Sequence, residues 1–377
     1  MKSRRRSTNG SGGAQTPVRT RQANGGGNIA LITGGAGFLG CNLADRLASE
    51  GCTVIIYDSL ARPEVEKNIV WLQHRHGSRI QVQLADIRDA RMLSGAVAAA
   101  DLVFHFAAQV AVTTSLVDPI GDFEINARGT LNLLEALRAR QRPIPLVFAS
   151  TNKVYGTLED VVVTARATRY EPLDPEIARH GVSERQPLSL YSPYGCSKGA
   201  ADQYVLDYAR MFGLPTVVFR MSCLYGPHQF GTEDQGWVAH FAISMLTGRP
   251  ITIYGDGRQV RDILFIDDVL DAYLLAASRI ERVSGQAFNI GGGPANAISL
   301  LELLDDLGQL TGRPPKLRHG PARAGDQQYY VSDTRKFAAA TGWHPTMDAR
   351  TGVRRLVEWL ETRHRPAATL ESERLTA

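Results

Sequence analysis

The chain has 377 residues, 44% of them hydrophobic and 21% charged, enough apolar content for one large domain or two closely joined ones. No run of about 18 apolar residues occurs, so nothing reads as a membrane span, and no apolar stretch follows Arg4-Arg5-Arg6 as a secretory signal requires. The formal charge of +4 is set by the first 27 residues, which hold six basic side chains and no acid; the remainder carries 36 basic against 38 acidic ones, so nothing calls for a nucleic-acid partner.

Residues 1–27, rich in Gly, Ser, Thr and Asn, read as a disordered basic tail. Cys41, Cys52, Cys196 and Cys223 are scattered without metal-ligand spacing, which suits reduced thiols in a cytoplasmic protein with no metal. Order begins at Asn28-Ile-Ala-Leu-Ile-Thr33, a short apolar run that fits a buried parallel strand. Glycines 34, 35, 37 and 40 follow, then an amphipathic stretch to Glu50. Gly34 and Gly37 allow a tight turn and close approach of a diphosphate to the helix start at Phe38 and Leu39. A second strand, Cys52–Asp58, ends in a carboxylate suited to ribose hydroxyls and hostile to a 2′-phosphate. The cofactor this implies is NAD.

The alternation continues through strands Ile80–Asp86, Asp101–Ala108, Pro145–Ser150 and Thr216–Arg220, with a long helix over 118–140. This order predicts an α/β fold, a doubly wound parallel sheet of the Rossmann kind, with ligands beyond the carboxyl ends of the strands. Asp86 and Ile87 then border the adenine, and Ala107 and Gln109 leave the fourth strand toward the cofactor. Thr113, Thr114 and Ser115 either face the site or cap a helix. His105 reads as a buried strand residue. Residues 157–190 are polar and proline-containing, an insertion with a hairpin or lid.

A helix from about 194 to 212 carries Tyr194 and Lys198 on one face, four residues apart. A free tyrosine titrates near about 10, and a neighbouring cation favours the phenolate, so this pair has the makings of a base for a substrate hydroxyl. The same spacing also arises by accident on amphipathic helices. Cys196, two residues on, lines the site or packs beside it. Beyond strand six the chain becomes loop-rich, with helices at 238–248 and 269–282. The division expected is a NAD-binding domain over 28–219, a smaller substrate domain over 220–364 with 259–290 partly returning to the first, and a frayed tail over 365–377.

Several of these elements together resemble the extended short-chain dehydrogenase/reductases that act on nucleotide sugars: the glycine turn, Asp58, Ser150-Thr151, Tyr194-x-x-x-Lys198, Arg261-Asp262 and Arg323-x-x-Asp326. Within that group, Gln109–Ser115, Ser150–Gly156, Thr168–Tyr170, Ser192–Tyr204 and Asp234–Val238 are most similar to the CDP-paratose 2-epimerases, also called CDP-tyvelose epimerases. The resemblance implies that Tyr194 removes a proton from a sugar hydroxyl, that Lys198 holds the nicotinamide ribose and lowers the tyrosine pKa, and that Thr151 orients the hydroxyl. It implies a substrate site at Gln109, Thr151, Asn152, Arg261, Arg323 and Asp326, with the two arginines on the diphosphate of a nucleotide sugar, a CDP-sugar by preference. Inversion at C2 through a keto-sugar is the expected reaction. Related 4,6-dehydratases carry Asp-Glu after the strand-five threonine, where this chain has Asn152 and Lys153, so elimination lacks its acid and base. A UDP-hexose 4-epimerase and a non-catalytic NAD sensor are the alternatives. Relatives pair helices equivalent to 118–139 and 195–212, which implies a homodimer or homotetramer.

Overall fold

The computed structural model describes residues 28–364; the tails expected at 1–27 and 365–377 lie outside the described residues. In chain order the strands are β1 Ile29–Thr33, β2 Thr53–Asp58, β3 Ile80–Leu84, β4 Leu102–His105, β5 Leu146–Thr151, β6 Val163–Ala165, β7 Tyr170–Pro172, β8 Thr216–Met221, β9 Cys223–Tyr225, β10 Ile251–Tyr254, β11 Val260–Phe265, β12 Gln286–Ile290, β13 Ala297–Ser299, β14 Leu317–Gly320 and β15 Tyr329–Tyr330.

Seven of them form one parallel sheet in the order β3-β2-β1-β4-β5-β8-β12. Both faces are covered, which is why these strands read as unbroken apolar runs rather than alternating ones. Ala30, Ile32, Val54, Ile56, Phe104, Val147, Val217 and Phe219 share one core with helices Phe38–Ser49 and Ile266–Ser278. Leu31, Ile55, Val103, Leu146, Phe148 and Val218 face the other way, against Ala90–Ala99, Gly129–Arg138 and Ser192–Phe212. The first core runs on without a break into helices Trp237–Thr247, Leu300–Thr311 and Ala349–His364. A small sheet around β11, which pairs with β9, β13 and β15, sits beside the large one.

Two differences from the sequence reading concern the helices, while the expected hairpin is present. The single helix expected over 118–140 is broken into Pro119–Phe123, a π-helical turn Glu124–Arg128 and Gly129–Arg138, and a separate short helix, Val112–Val117, precedes it. Asp118 caps the new start by accepting from Gly121 N at 2.9 Å. Helices Glu66–His76 and Ala90–Ala99, which the sequence reading leaves unassigned, flank β3. Within 157–190 a hairpin does form, β6 against β7. It is fastened to the smaller layer by Arg169 and Thr168 on Glu302, and by the Tyr170 hydroxyl donating to Asp256 at 2.8 Å.

His105 is a buried strand residue, as expected. Its Nδ1 lies 2.6 Å from Thr33 Oγ1 and its Nε2 3.0 Å from Thr130 Oγ1. Burial, aided by the Lys198 charge, pushes its pKa down to about 3. Below the ordinary value of 6.5 the unfolded chain therefore takes up a proton that the folded protein refuses until about pH 3. Stability should fall by about 1.4 kcal/mol per pH unit across that window for this group alone. Urea midpoints measured from pH 7 to pH 5 should decline in the wild type. The decline should be shallower by one proton's worth in His105→Gln; an unchanged slope would show that His105 is charged in the fold.

Candidate active site

The crevice lies where the sheet order reverses, between β1 and β4, as expected for doubly wound sheets. Gly34 has φ +69°, and a Cβ there would stand 2.6 Å from Ala107 N, so the turn after β1 is pressed against the chain leaving β4. Gly37 is different. It is the N-cap of the helix beginning Phe38-Leu39, no side chain caps that terminus, and an added Cβ would meet only Gly34 O, at 3.3 Å. Free helix-start N–H groups with an open approach over Gly37 fit the diphosphate of a dinucleotide.

Asp58 ends β2 with one carboxylate oxygen accepting from Ala36 N at 2.9 Å and the other from Leu60 N at 2.8 Å. Burial outweighs these bonds and raises its pKa, while each oxygen keeps a further acceptor position for a ribose hydroxyl. Asp86 is partly exposed and held by Arg88 in a two-pronged pair, which lowers its pKa; Ile87 beside it is buried. These residues fit NAD.

The Ser192–Phe212 helix rises beside β5, and its first turn brings Tyr194 beside Thr151 at the strand end, near enough for the threonine to bear on the titration of the phenol. Tyr194 and Lys198 are both buried. Lys198 does not lower the tyrosine pKa as the sequence reading expects. Burial pushes Tyr194 up to about 12, with nearby Thr151 lowering it and Asp122 raising it. Lys198 donates instead to Ala149 O at 2.6 Å and lies 4.4 Å over the Phe148 ring; burial brings its pKa down to about 8 against the pull of Asp202 and Asp122.

The substrate-side residues gather at a turn of the smaller layer. Arg261, buried on β11, donates to Asp326 Oδ1 at 2.7 Å and to Val260 O at 2.7 Å. Asp326 N closes the turn on Arg323 O at 3.2 Å. Arg323 stacks 4.0 Å over Tyr254 and donates to Glu233 O at 3.3 Å. Asn152 donates to Gln327 Oε1 at 3.0 Å, so that turn is tied directly to the end of β5. Gln109 is placed otherwise: its amide is turned into its own loop, bonding Ala111 O and Asp122 Oδ1 at 2.8 Å each.

Of the polar residues behind the site, the sequence reading left Ser115 between facing the site and capping a helix, and missed the others. Ser115 Oγ accepts from Tyr194 N at 3.1 Å, a cap supplied from a distant helix. Asn126 Nδ2 reaches Ser197 Oγ at 3.0 Å and Asp122 Oδ1 at 3.1 Å, and Ser197 also donates to Asp122. Asp202 accepts Arg220 through both oxygens, at 2.9 and 2.8 Å, and Ser150 Oγ at 2.8 Å. A signal was present: Asp202 stands four residues beyond Lys198, and Asp122 and Asn126 are four apart where a helix turns inward.

Fold and glycine cradle define a dinucleotide-binding protein, with Thr151, Tyr194 and Lys198 together beside β5. The chain matches the NAD dependent epimerase/dehydratase family over residues 30–291 and belongs to it. It is 44% identical over 336 residues to the CDP-paratose 2-epimerase of Salmonella typhi, covering 87% of this chain and 98% of that one. Two crystal structures superpose on it: the Thermotoga maritima UDP-glucose 4-epimerase with UDP-glucose (TM-score 0.75, 30% identity, 89% of this chain and all of that one), and the Bacillus cereus UDP-glucuronic acid 4-epimerase with UDP-glucuronic acid and NAD (TM-score 0.76, 27% identity, 89% of this chain and all of that one).

The two cradle glycines should separate fold from cofactor. Gly37→Ala should keep stability within about 1 kcal/mol yet purify without NAD, because the new methyl stands where the diphosphate approaches. Gly34→Ala should lose both, through its positive φ and the contact with Ala107. Thermal melts and nucleotide released on denaturation check this; a Gly37→Ala protein that retains full NAD would contradict the cradle.

Proposed function

We propose that this protein is a NAD-dependent epimerase that inverts a nucleotide-linked sugar at C2 through a transient keto-sugar, with a CDP-sugar as substrate. The observation that carries the reading is the placement of buried Tyr194 beside Thr151 at the end of β5, with Asn152 and Lys153 following Thr151 in the chain. Hydroxyl chemistry has its base and its orienting group there, while elimination has no carboxylate pair. The 44% identity to a CDP-paratose 2-epimerase supports C2 and the cytidine diphosphate over the 4-epimerase alternative, whose relatives stand near 31%.

In this reading Thr151 holds the reacting hydroxyl and Tyr194 Oη takes its proton, returning it after the sugar turns. Bound NAD supplies the two-electron exchange, and its charged nicotinamide ring favours the phenolate. Lys198, now on the Ala149 carbonyl, would hold the nicotinamide ribose and place its charge beside the phenol. Asp58 takes the adenosine ribose, and Arg261 and Arg323 take the diphosphate through charge-assisted bonds. Asp326 lies by the nucleotide, and Gln109 acts by shaping the loop after β4. The four free thiols suit a reducing compartment, the cytoplasm.

Tyr194→Phe should keep NAD and substrate binding and lower the rate by about 10²- to 10⁴-fold. Lys198→Met should lose activity and weaken NAD retention; Thr151→Val should cost less than either. Epimer formation across a panel of CDP-, UDP- and GDP-sugars reads all of these. Wild-type turnover confined to UDP-sugars would refute the CDP assignment, and near-normal turnover by the Phe variant would remove Tyr194 as base.

The same reading makes the protein a symmetric oligomer. Leu116, Val117, Ile120 and Phe123 are 53–86% exposed, and Tyr204, Met211 and Phe212 are exposed along the Tyr194 helix. Such apolar faces suit pairing with a second copy. Sedimentation at micromolar concentration should give a dimer or tetramer; a 41 kDa species alone would count against it.

A further inference from the structure

We infer that Lys153 is the residue that receives the sugar-proximal phosphate of the substrate and thereby sets the reaction at C2. The inference rests on the C2 reading proposed above. Lys153 lies two residues beyond Thr151, and its own N–H donates to Thr151 Oγ1 at 3.2 Å. Its ammonium reaches 3.5 Å from Asp326 Oδ1, the oxygen that already accepts Arg261 at 2.7 Å. The Lys153 side chain is 24% exposed and that of Arg261 8%. Two sheltered cations thus share one carboxylate, which leaves a positive charge at the end of β5, beside the groups that hold the reacting hydroxyl. Burial lowers the Lys153 pKa and Asp326 raises it, in keeping with an ammonium short of counter-charge.

The chemistry of the sugar says what that charge is for. C2 is bonded to the anomeric carbon that carries the diphosphate, whereas C4 lies across the ring. When C2 sits on Thr151 and Tyr194, the first phosphate is brought close to the end of β5. When C4 sits there, the ring holds the phosphate away. An enzyme acting at C2 therefore needs a cation next to its catalytic threonine, and one acting at C4 does not. Lys153 is in that place. With an anion bound, the ammonium exchanges its long contact to Asp326 for the phosphate, and Asp326 remains paired with Arg261.

CDP contains the phosphate in question and CMP lacks it, so the two nucleotides isolate the contact. With NAD-loaded enzyme, Lys153→Met should weaken competitive inhibition by CDP about ten- to hundredfold, the scale of one charge-assisted hydrogen bond, and leave CMP unchanged. KM for the CDP-sugar should rise with CDP inhibition, while NAD content and melting temperature stay near wild type. Lys153→Arg should restore most of the CDP affinity, which a merely structural role would not predict. Lys153→Gln, with similar length, gives the same reading if the Met variant does not fold. Equal weakening of CDP and CMP, or no change in either, would overturn the inference. Wild-type enzyme that inverts C4 would defeat the functional reading instead, and the CDP-against-CMP difference would still report on Lys153 alone.

Discussion

The site depends on the bidentate ion pair of Asp202 with Arg220, buried between the Ser192–Phe212 helix and the sheet. Asp202 is fully buried and Arg220 nearly so, and Ser150 adds a third bond to the carboxylate. Such pairs add little net stability against an apolar replacement, but breaking one by removing a partner costs about 3–5 kcal/mol. What the pair contributes here is position. Arg220 on β8 and Ser150 on β5 fix the height of the helix, and Tyr194, two turns earlier on the same face, is thereby set against Thr151. Arg220 extends the network through the Tyr155 hydroxyl to Asn289 on β12, so the third strand on that side of the sheet joins the same support.

Two further ties complete the placement. Ser115 caps the helix start at Tyr194 N, and Ser197 is held by Asp122 and Asn126 from the segment that departs into a π-helical turn. Insertions of this kind recur at functional sites because they turn one side chain out of register. Here the turn brings Asn126 and Asp122 to the Tyr194 helix. The electrostatics follow from the same burial: a phenol held high and an ammonium resting on Ala149 O.

Much of this was legible in the sequence, because both faces of a parallel sheet are apolar and the strands announce themselves as continuous runs. The glycine turn, Asp58 and the Tyr194–Lys198 spacing depend on local backbone geometry, which sequence distance encodes. Helix Glu66–His76, with only Asn68, Ile69 and Leu72 buried, has too thin an apolar stripe to be read. The broken helix after Asp118 was hidden because 118–140 keeps a helical pattern throughout while its hydrogen bonding changes. The partners of Ser115, Asp122 and Arg220 were hidden for a different reason: they lie 79, 75 and 18 residues away, and only the fold joins them.

In the proposed reaction Tyr194 and Thr151 act on the C2 hydroxyl of a nucleotide sugar. Single turnover with a CDP-sugar deuterated at C2 tests it most directly, by following label onto the bound cofactor. The account predicts transfer of deuterium from C2 and its return to the opposite face. Transfer from a C4-deuterated sugar, with none from C2, would contradict it.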